Sequence, residues 1–356
     1  MPGYSYRRLT SALTLTALLC AARLDAATPV VADPISEVSA RAVVQRTIEL
    51  VEAQGLYPRK HEEYAAAKAS LLGALEDAGD PVDRQALFRH VTALLQTLDA
   101  DGHSAIWAPS RERQIHQAVA ARRAQVQTSS FALLATAHGQ VLHWTPPQSV
   151  GDIKVEAPLF LKRFNADHAA TPEADQACAL VVDLSAQLGG NAWPPFIAMH
   201  PLLSSVNPAA FVDREGARTA FVNPKQLREM EAAYGGLPDN PLRRFADAPL
   251  AVVVGSKTVS AGEMLLVALM GEGARTRTFG HTSAGATTAN VAYPLTDGST
   301  LVLTRSRYAI GDAPVIRGGI APQTPAQQGQ TTADTVRQAA EWAALASPLC
   351  QQQRAT

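Results

Sequence analysis

Charge is scarce in this chain and evenly split. Asp, Glu, Lys and Arg make up 18% of 356 residues, and 31 basic side chains nearly cancel 32 acidic ones, for a formal net charge of -1. No basic block or run of like charge occurs, so nucleic acid and anionic membrane surfaces have no electrostatic footprint here. Cysteine is scarcer still: Cys20, Cys178 and Cys350 are the three. None has a CxxC spacing, which leaves no metal-ligand context, and neither a metal nor a cofactor is expected. Past the first thirty residues no apolar run reaches the length of a membrane span. What is abundant is ordinary core material: 47% of the residues are apolar, enough for a globular protein of one large domain or two.

The N-terminus stands apart. "MPGYSYRRLTSALTLTALLCAARLDAATP" has a basic start at Arg7 and Arg8, an apolar stretch from Leu9 to Ala22, and small residues at Ala26 and Ala27. This is the three-part pattern of a secretory signal peptide over 1–27, which removes Cys20 with it. The expected mature protein is exported, periplasmic or extracellular, with no membrane span left. Two cysteines then remain in a compartment that tolerates disulfides, so a Cys178–Cys350 bond is open to it.

From Glu37 to Leu98 the period is helical. "EVSARAVVQRTIELVEAQG", "EEYAAAKASLLGALEDAG" and "DRQALFRHVTALLQTLDADG" space apolar residues by three and four, and each ends in glycine. A small helical bundle over 28–110 is the expectation, with 111–356 as a second domain. From Ser130 onward the period changes. "FALLATAHGQVLHW" reads as two strands around His138-Gly139, and "ACALVVDLS" and "LAVVVGS" as strands buried on both faces. "TAFVN" and "TRTFG" read as further strands, and "NVAYPLTDGSTLVLTRSRYA" as a hairpin around Asp297-Gly298. Helical stretches over 195–203, 225–233, 261–270 and 332–346 alternate with them, which gives an α/β class.

Two strand-to-loop junctions carry the chemical interest. In "VVDLSAQLGGNAWPP" a buried strand runs into Gly189-Gly190-Asn191, and paired glycines let the backbone turn and present N–H groups, as an oxyanion hole needs. In "LAVVVGSKTVSAGEMLLVALMG" the strand ends at Gly255 and a helix starts at Ser260. A serine there either caps the helix or uses the positive end of its dipole as a nucleophile. A nucleophile needs a base. His103, in "LLQTLDADGHSAIWAP", and His281, in "TFGHTSAG", lie in loops; Lys257 lies three residues before Ser260, where an extended approach turns it away. Trp107, Trp193 and Phe196 read as core or pocket wall.

The junctions resemble serine peptidase family S41, the C-terminal processing or tail-specific proteases. The family's "DLRGNxGG" is echoed by "DLSAQLGGN" at 183–191, with Ser185 in place of arginine, and its S-x-[SAG]-E by Ser260-Ala261-Gly262-Glu263. "GHTSAG" at 280–285 is similar to "GEPTxG", and "GGIAPQ" at 318–323 to "GGIxPD", with Gln323 for aspartate. The resemblance implies a crotonase-like (ClpP/crotonase) β/α catalytic core behind the helical bundle, with Ser260 as nucleophile. Ala286 occupies the place of the lysine in the family's Ser-Lys dyad, so that mechanism is out. "DGHS" at 101–104 resembles the histidine motif of the tricorn and retinoid-binding-protein-like branch, which makes His103 the implied base. That branch's orienting carboxylate has no counterpart, since Val315, Ile316 and Arg317 fill the region; Glu263, and behind it Asp101, are the acidic candidates left. About 70 residues separate Pro109 from Cys178, too few for a PDZ domain beside the core's own strands, so a PDZ-less member is implied.

The expected function is thus hydrolysis of peptide bonds in a peptide or protein substrate. Ser260 attacks, His103 is the base, Glu263 or Asp101 orients it, and the N–H groups of Gly189 or Gly190, with that of Ala261 or Ser260, hold the oxyanion. The alternative is an inactive binding protein on the same scaffold. Substrate specificity and oligomeric state are not legible.

Overall fold

The computed structural model describes residues 33–114, 117, 130–204, 207–236 and 239–355. The leader expected over 1–27 lies outside them. The chain divides into two compact units. One takes in residues 1–124, Val212–Ala217 and Thr288–Ser306; the other takes in Gln125–Phe211, Arg218–Thr287 and Arg307–Thr356.

In the first unit, α1 (Glu37–Gln54), α2 (His61–Glu76) and α3 (Arg84–Gln96) follow the apolar spacing of the sequence. Ser36 caps α1 by accepting the Ser39 N–H, and Asp83 caps α3 by accepting that of Gln85. Val43, Leu50, Leu71, Leu75, Leu87, Val91 and Leu94 bury one common core, each side chain contributing roughly 1.5–3 kcal/mol. Leu301 and Leu303 join it from a strand. Two short strands, β1 (Pro34–Ile35) and β2 (Val82–Asp83), pair antiparallel. A third, β3 (Ala105–Trp107), which sequence periodicity does not reveal, pairs antiparallel with β12 (Thr300–Ile310), Leu301 opposite Ile106. β12 also pairs with β11 (Thr288–Pro294). The hairpin between them turns at Asp297-Gly298 as expected, and the Asp297 carboxylate meets the buried Arg84 guanidinium at 3.0 Å. Trp107 is buried against Val302.

The second unit is built on a six-stranded sheet of order β13-β10-β9-β6-β5-β4. Its first hairpin, β4 (Phe131–Thr136) and β5 (Gly139–Trp144), is antiparallel. From β5 the sheet runs parallel through β6 (Ala179–Asp183), β9 (Leu250–Val254), β10 (Thr276–Gly280) and β13 (Thr324–Pro325). Every residue of β6 and β9 is buried, as continuous apolar runs require of strands covered on both faces. A second sheet includes β7 (Ala209–Asp213) and β8 (Arg218–Ala220), the latter ending just where a strand "TAFVN" was expected to be centred.

Two helices, α4 (Ile153–Ala169) and α9 (Pro348–Ala355), are absent from the periodicity reading. Residues between Pro146 and Cys178 read as a polar stretch, yet α4 spans Ile153–Ala169, with Asp152 accepting the Lys154 N–H. Pro158 inside it masks the pattern; what holds the helix is tertiary, Phe164 lying 5.3 Å from Phe131 and 5.4 Å from Trp144 between ring centroids. Four others fall close to expectation, α5 (Trp193–Met199), α6 (Pro224–Ala233), α7 (Ala261–Met270) and α8 (Thr332–Ala346), whereas α9 was not expected. Ala339, Ala340, Ala343 and Ala344 of α8 are fully buried in the cluster that includes β6 and β9, small side chains that let helix and sheet approach closely. Cys350 of α9 is bonded to Cys178, just before β6, at a Cα separation of 4.8 Å. No helix of the described residues is long and apolar enough to cross a membrane.

Candidate active site

The four motif tracts of the sequence converge in the second unit. Because β6 and β9 are parallel neighbours, their carboxyl ends emerge side by side, and the loops that follow are laced together. Leu184 donates its N–H to Val253 O at 2.9 Å, Thr258 Oγ1 donates to Leu184 O at 2.7 Å, and Val259 N–H donates to Gln187 O at 3.0 Å. Gly262 lets this happen: a Cβ there would sit 2.7 Å from Gln187 O. Further along the first loop, Gly189 and Gly190 have φ of 92° and 123°. A side chain at Gly190 would meet Ser149 O at 2.0 Å, and that same carbonyl accepts the Asn191 N–H at 2.7 Å. The paired glycines therefore answer both a backbone conformation and a close approach.

Ser260 sits at the end of the second loop, immediately before α7, 5% exposed. Its backbone is at φ 54°, ψ -108°, a region that L-residues enter only when their surroundings force them to. The surroundings are Glu263. One carboxylate oxygen accepts the Ser260 N–H at 2.9 Å; the other accepts the Ser283 hydroxyl at 2.6 Å and the Gly285 N–H at 2.7 Å. Ser283 Oγ in turn accepts the Ile320 N–H at 2.8 Å, which joins the closing "GGIAPQ" tract to the same knot. Burial raises the Glu263 carboxyl above the ordinary carboxylate value, opposed by these hydrogen bonds. Ala261, the first residue of α7, is where a helix N–H has no intrahelical acceptor.

His103 lies in the first unit, buried in a polar network of its own. Its Nδ1 is 2.6 Å from Thr288 Oγ1, at the start of β11. Asn290 Nδ2 donates to His103 O at 3.1 Å, Thr304 Oγ1 donates to Asn290 Oδ1 at 2.7 Å, and Ser104 Oγ accepts the Thr304 N–H at 3.0 Å. Burial pushes the imidazole down to about 4, with the charge of Asp101 pulling it partly back. Asp101 itself is exposed and paired with Arg59 at 2.7 Å.

The structure thus brings Ser260, Glu263, Gly189, Gly190 and Ala261 into one unit and places His103 in the other. Glu263 is engaged with Ser260, Ser283 and Gly285. Lys257 and His281 are exposed, and Phe196 is core. Thr258, Ser283, Thr288 and Asn290 are contributors that sequence reasoning missed. Thr258 and Ser283 lie inside the quoted tracts, but small hydroxyl residues in loops carry no distinctive pattern. Thr288 and Asn290 lie 185 and 187 positions from His103 and had no sequence signal. Among the described residues no group of three or more His, Cys, Asp or Glu is placed to hold a metal ion.

A serine in a strained turn between a buried parallel strand and a helix, braced by a second strand-end loop, is an arrangement suited to nucleophilic enzymes of α/β fold. The model of Peptidase family S41 matches residues 160–326, a stretch holding all four tracts. Over 130 residues it is 35% identical to the nisin-resistance protein of Lactococcus lactis subsp. lactis, which is 35% of this chain and 38% of that one. The chain therefore aligns with well under half the length of that curated relative. Its fold is similar to that of a lipoprotein from Streptococcus agalactiae, with TM-score 0.61 at 18% identity, over 89% of this chain and 99% of that one. It is also similar to the photosystem II D1 C-terminal processing protease, with TM-score 0.52 at 14% identity, over 85% and 97%.

Proposed function

We propose that this chain is an exported serine peptidase in which Ser260 and His103 act together. The observation that carries the reading is the conformation of Ser260: a strained backbone, held by a buried carboxylate, at the positive end of a helix. Ser260 Oγ attacks the carbonyl carbon of a peptide bond while its proton passes to His103 Nε2. The oxyanion is held by N–H groups of Gly189 or Gly190 together with Ala261, each such donor being worth ~3 kcal/mol. Collapse breaks the C–N bond, and His103 gives its proton to the leaving amine. Water, deprotonated by His103, then hydrolyses the acyl-enzyme. The Ser260 N–H, committed to Glu263, takes no part. Glu263 is the brace of the nucleophile turn rather than the orienter of the imidazole.

In this reading the core, over 111–356, is crotonase-like and PDZ-less, preceded by a bundle over 28–110 and a leader over 1–27. The Cys178–Cys350 bond and relatives named as a lipoprotein and a nisin-resistance protein favour a cell-envelope or exported location. The substrate is a peptide or protein, and the second name makes nisin the first to try. The second reading, an inactive binding protein, is favoured by Ala286 in the lysine position and by the depressed His103 imidazole.

The test is a digest of a peptide library and of nisin by residues 28–356, with Ser260→Ala as control. Cleavage lost in the control supports the peptidase. Binding without cleavage by folded wild type supports the second reading.

A further inference from the structure

We infer that Thr288 is the positioning residue of the base, its Oγ1 accepting the His103 Nδ1–H and leaving the Nε2 lone pair for Ser260. The inference deepens the peptidase reading and rests on it. An imidazole acts as a base only in the tautomer whose outward nitrogen lacks a proton, and that tautomer is set by what the other nitrogen meets. Here the other nitrogen meets a hydroxyl, 2.6 Å away, in a place where both side chains are buried: His103 is 5% exposed and Thr288 0%. Among the described residues the hydrogen-bond partner of Nδ1 is this hydroxyl. Asp101, two residues back, is the charge that acts on the ring, and it is exposed and paired with Arg59.

A threonine oxygen has two lone pairs, so it can keep accepting from Nδ1–H when Nε2 also gains a proton during turnover. The ring is held through its main chain as well. Asn290 grips His103 O, Thr304 grips Asn290, and Ser104 grips the Thr304 N–H, so the loop is fixed to β11 and β12 at several points. The hydrogen bonds that hold the base among the described residues thus come from neutral groups. A hydroxyl sets the tautomer without supplying the negative charge that would stabilise an imidazolium, which fits a ring pushed well below its ordinary value.

The experiment uses mature protein labelled with 15N-histidine, in wild-type, Thr288→Val and Thr288→Ser forms. The first readout is the His103 nitrogen spectrum in a Ser260→Ala background near neutral pH, where the ring is neutral. A protonated Nδ1 with bare Nε2 in the parent, and loss of that bias in Thr288→Val, is the expected result. The second readout is steady-state cleavage in the Ser260 background. Thr288→Val, close in shape to threonine, lowers kcat by ~10- to 100-fold, part of what a general base supplies, with KM within about twofold. Thr288→Ser recovers most of the loss.

A bare Nδ1 in the parent overturns the inference, and so does a Thr288→Val protein with unchanged tautomer and unchanged kcat. Failure of the peptidase reading looks different. Folded wild type that does not cleave while its His103 shows the Nδ1–H tautomer, lost in Thr288→Val, sinks that reading and leaves the hydrogen-bond assignment standing.

Discussion

Ser260 and His103 are both buried and both fixed, by opposite means. Ser260 is held in a strained backbone by an ionisable group, Glu263, whose two oxygens gather donors from two stretches of chain. His103 is held by a hydroxyl and an amide, with Asp101 paired away at the surface. The position of Ser260 is thus enforced by an ionisable group and strain, that of His103 by polar neighbours and packing. The difference teaches that the two halves of such a site can fail separately, and that each should answer to a different perturbation.

The largest expected effect comes from removing the chemical groups themselves. Ser260→Ala and His103→Ala each lower kcat by ~10⁴-fold or more, and the double variant loses little further, because groups that act as a unit are not additive. Independent, multiplying losses in steady-state kinetics would show that the two do not share a step.

The staple comes next. Mutating Cys178 and Cys350 together to alanine removes a link between positions 172 apart and lowers unfolding free energy by about 2–5 kcal/mol in denaturant titration. No change on that measurement would mean that the two cysteines are not bonded in the folded protein.

Then the base alone. His103 is neutral when folded down to about pH 4, whereas an unfolded histidine takes up its proton near 6.5. Between those values the unfolded state binds more protons, so stability is full above about pH 6.5 and falls as the pH drops toward 4. The expected loss attributable to His103 between pH 7 and 4.5 is about 2 kcal/mol, absent from His103→Gln, measured by denaturant titration at those two pH values. A variant with the same pH slope as wild type would show that His103 is not held neutral.

The smallest effect probes the nucleophile's strain. Ser260→Gly relieves the φ 54°, ψ -108° backbone and raises unfolding free energy by about 1 kcal/mol over Ser260→Ala, with neither variant active. Equal thermal stability of the two would mean that the turn stores no strain.

Legibility in the sequence follows the same division. Strands β6 and β9, helices α7 and α8, and the Asp297-Gly298 hairpin were readable because continuous apolar runs, helical spacing and turn residues are local signals. So was Ser260, whose strand–turn–helix setting is written in about fifteen consecutive residues. Helix α4 was not, because Pro158 contradicts a pattern that Phe164 restores only by packing on Phe131 and Trp144. The tracts were readable as candidates, but their convergence through Glu263 and Ser283 needed the sheet order that sets β6, β9 and β10 side by side. Thr288 was invisible, since a hydroxyl chosen by a histidine 185 positions away leaves no trace in spacing.

The central claim is that Ser260 and His103 form one reactive pair, and mapping a fluorophosphonate adduct by mass spectrometry tests it most directly. The account predicts an adduct on Ser260 in the wild-type protein, and none at comparable times in the folded His103→Ala protein. Equal labelling of Ser260 with and without His103, or no adduct in folded wild type, would contradict it.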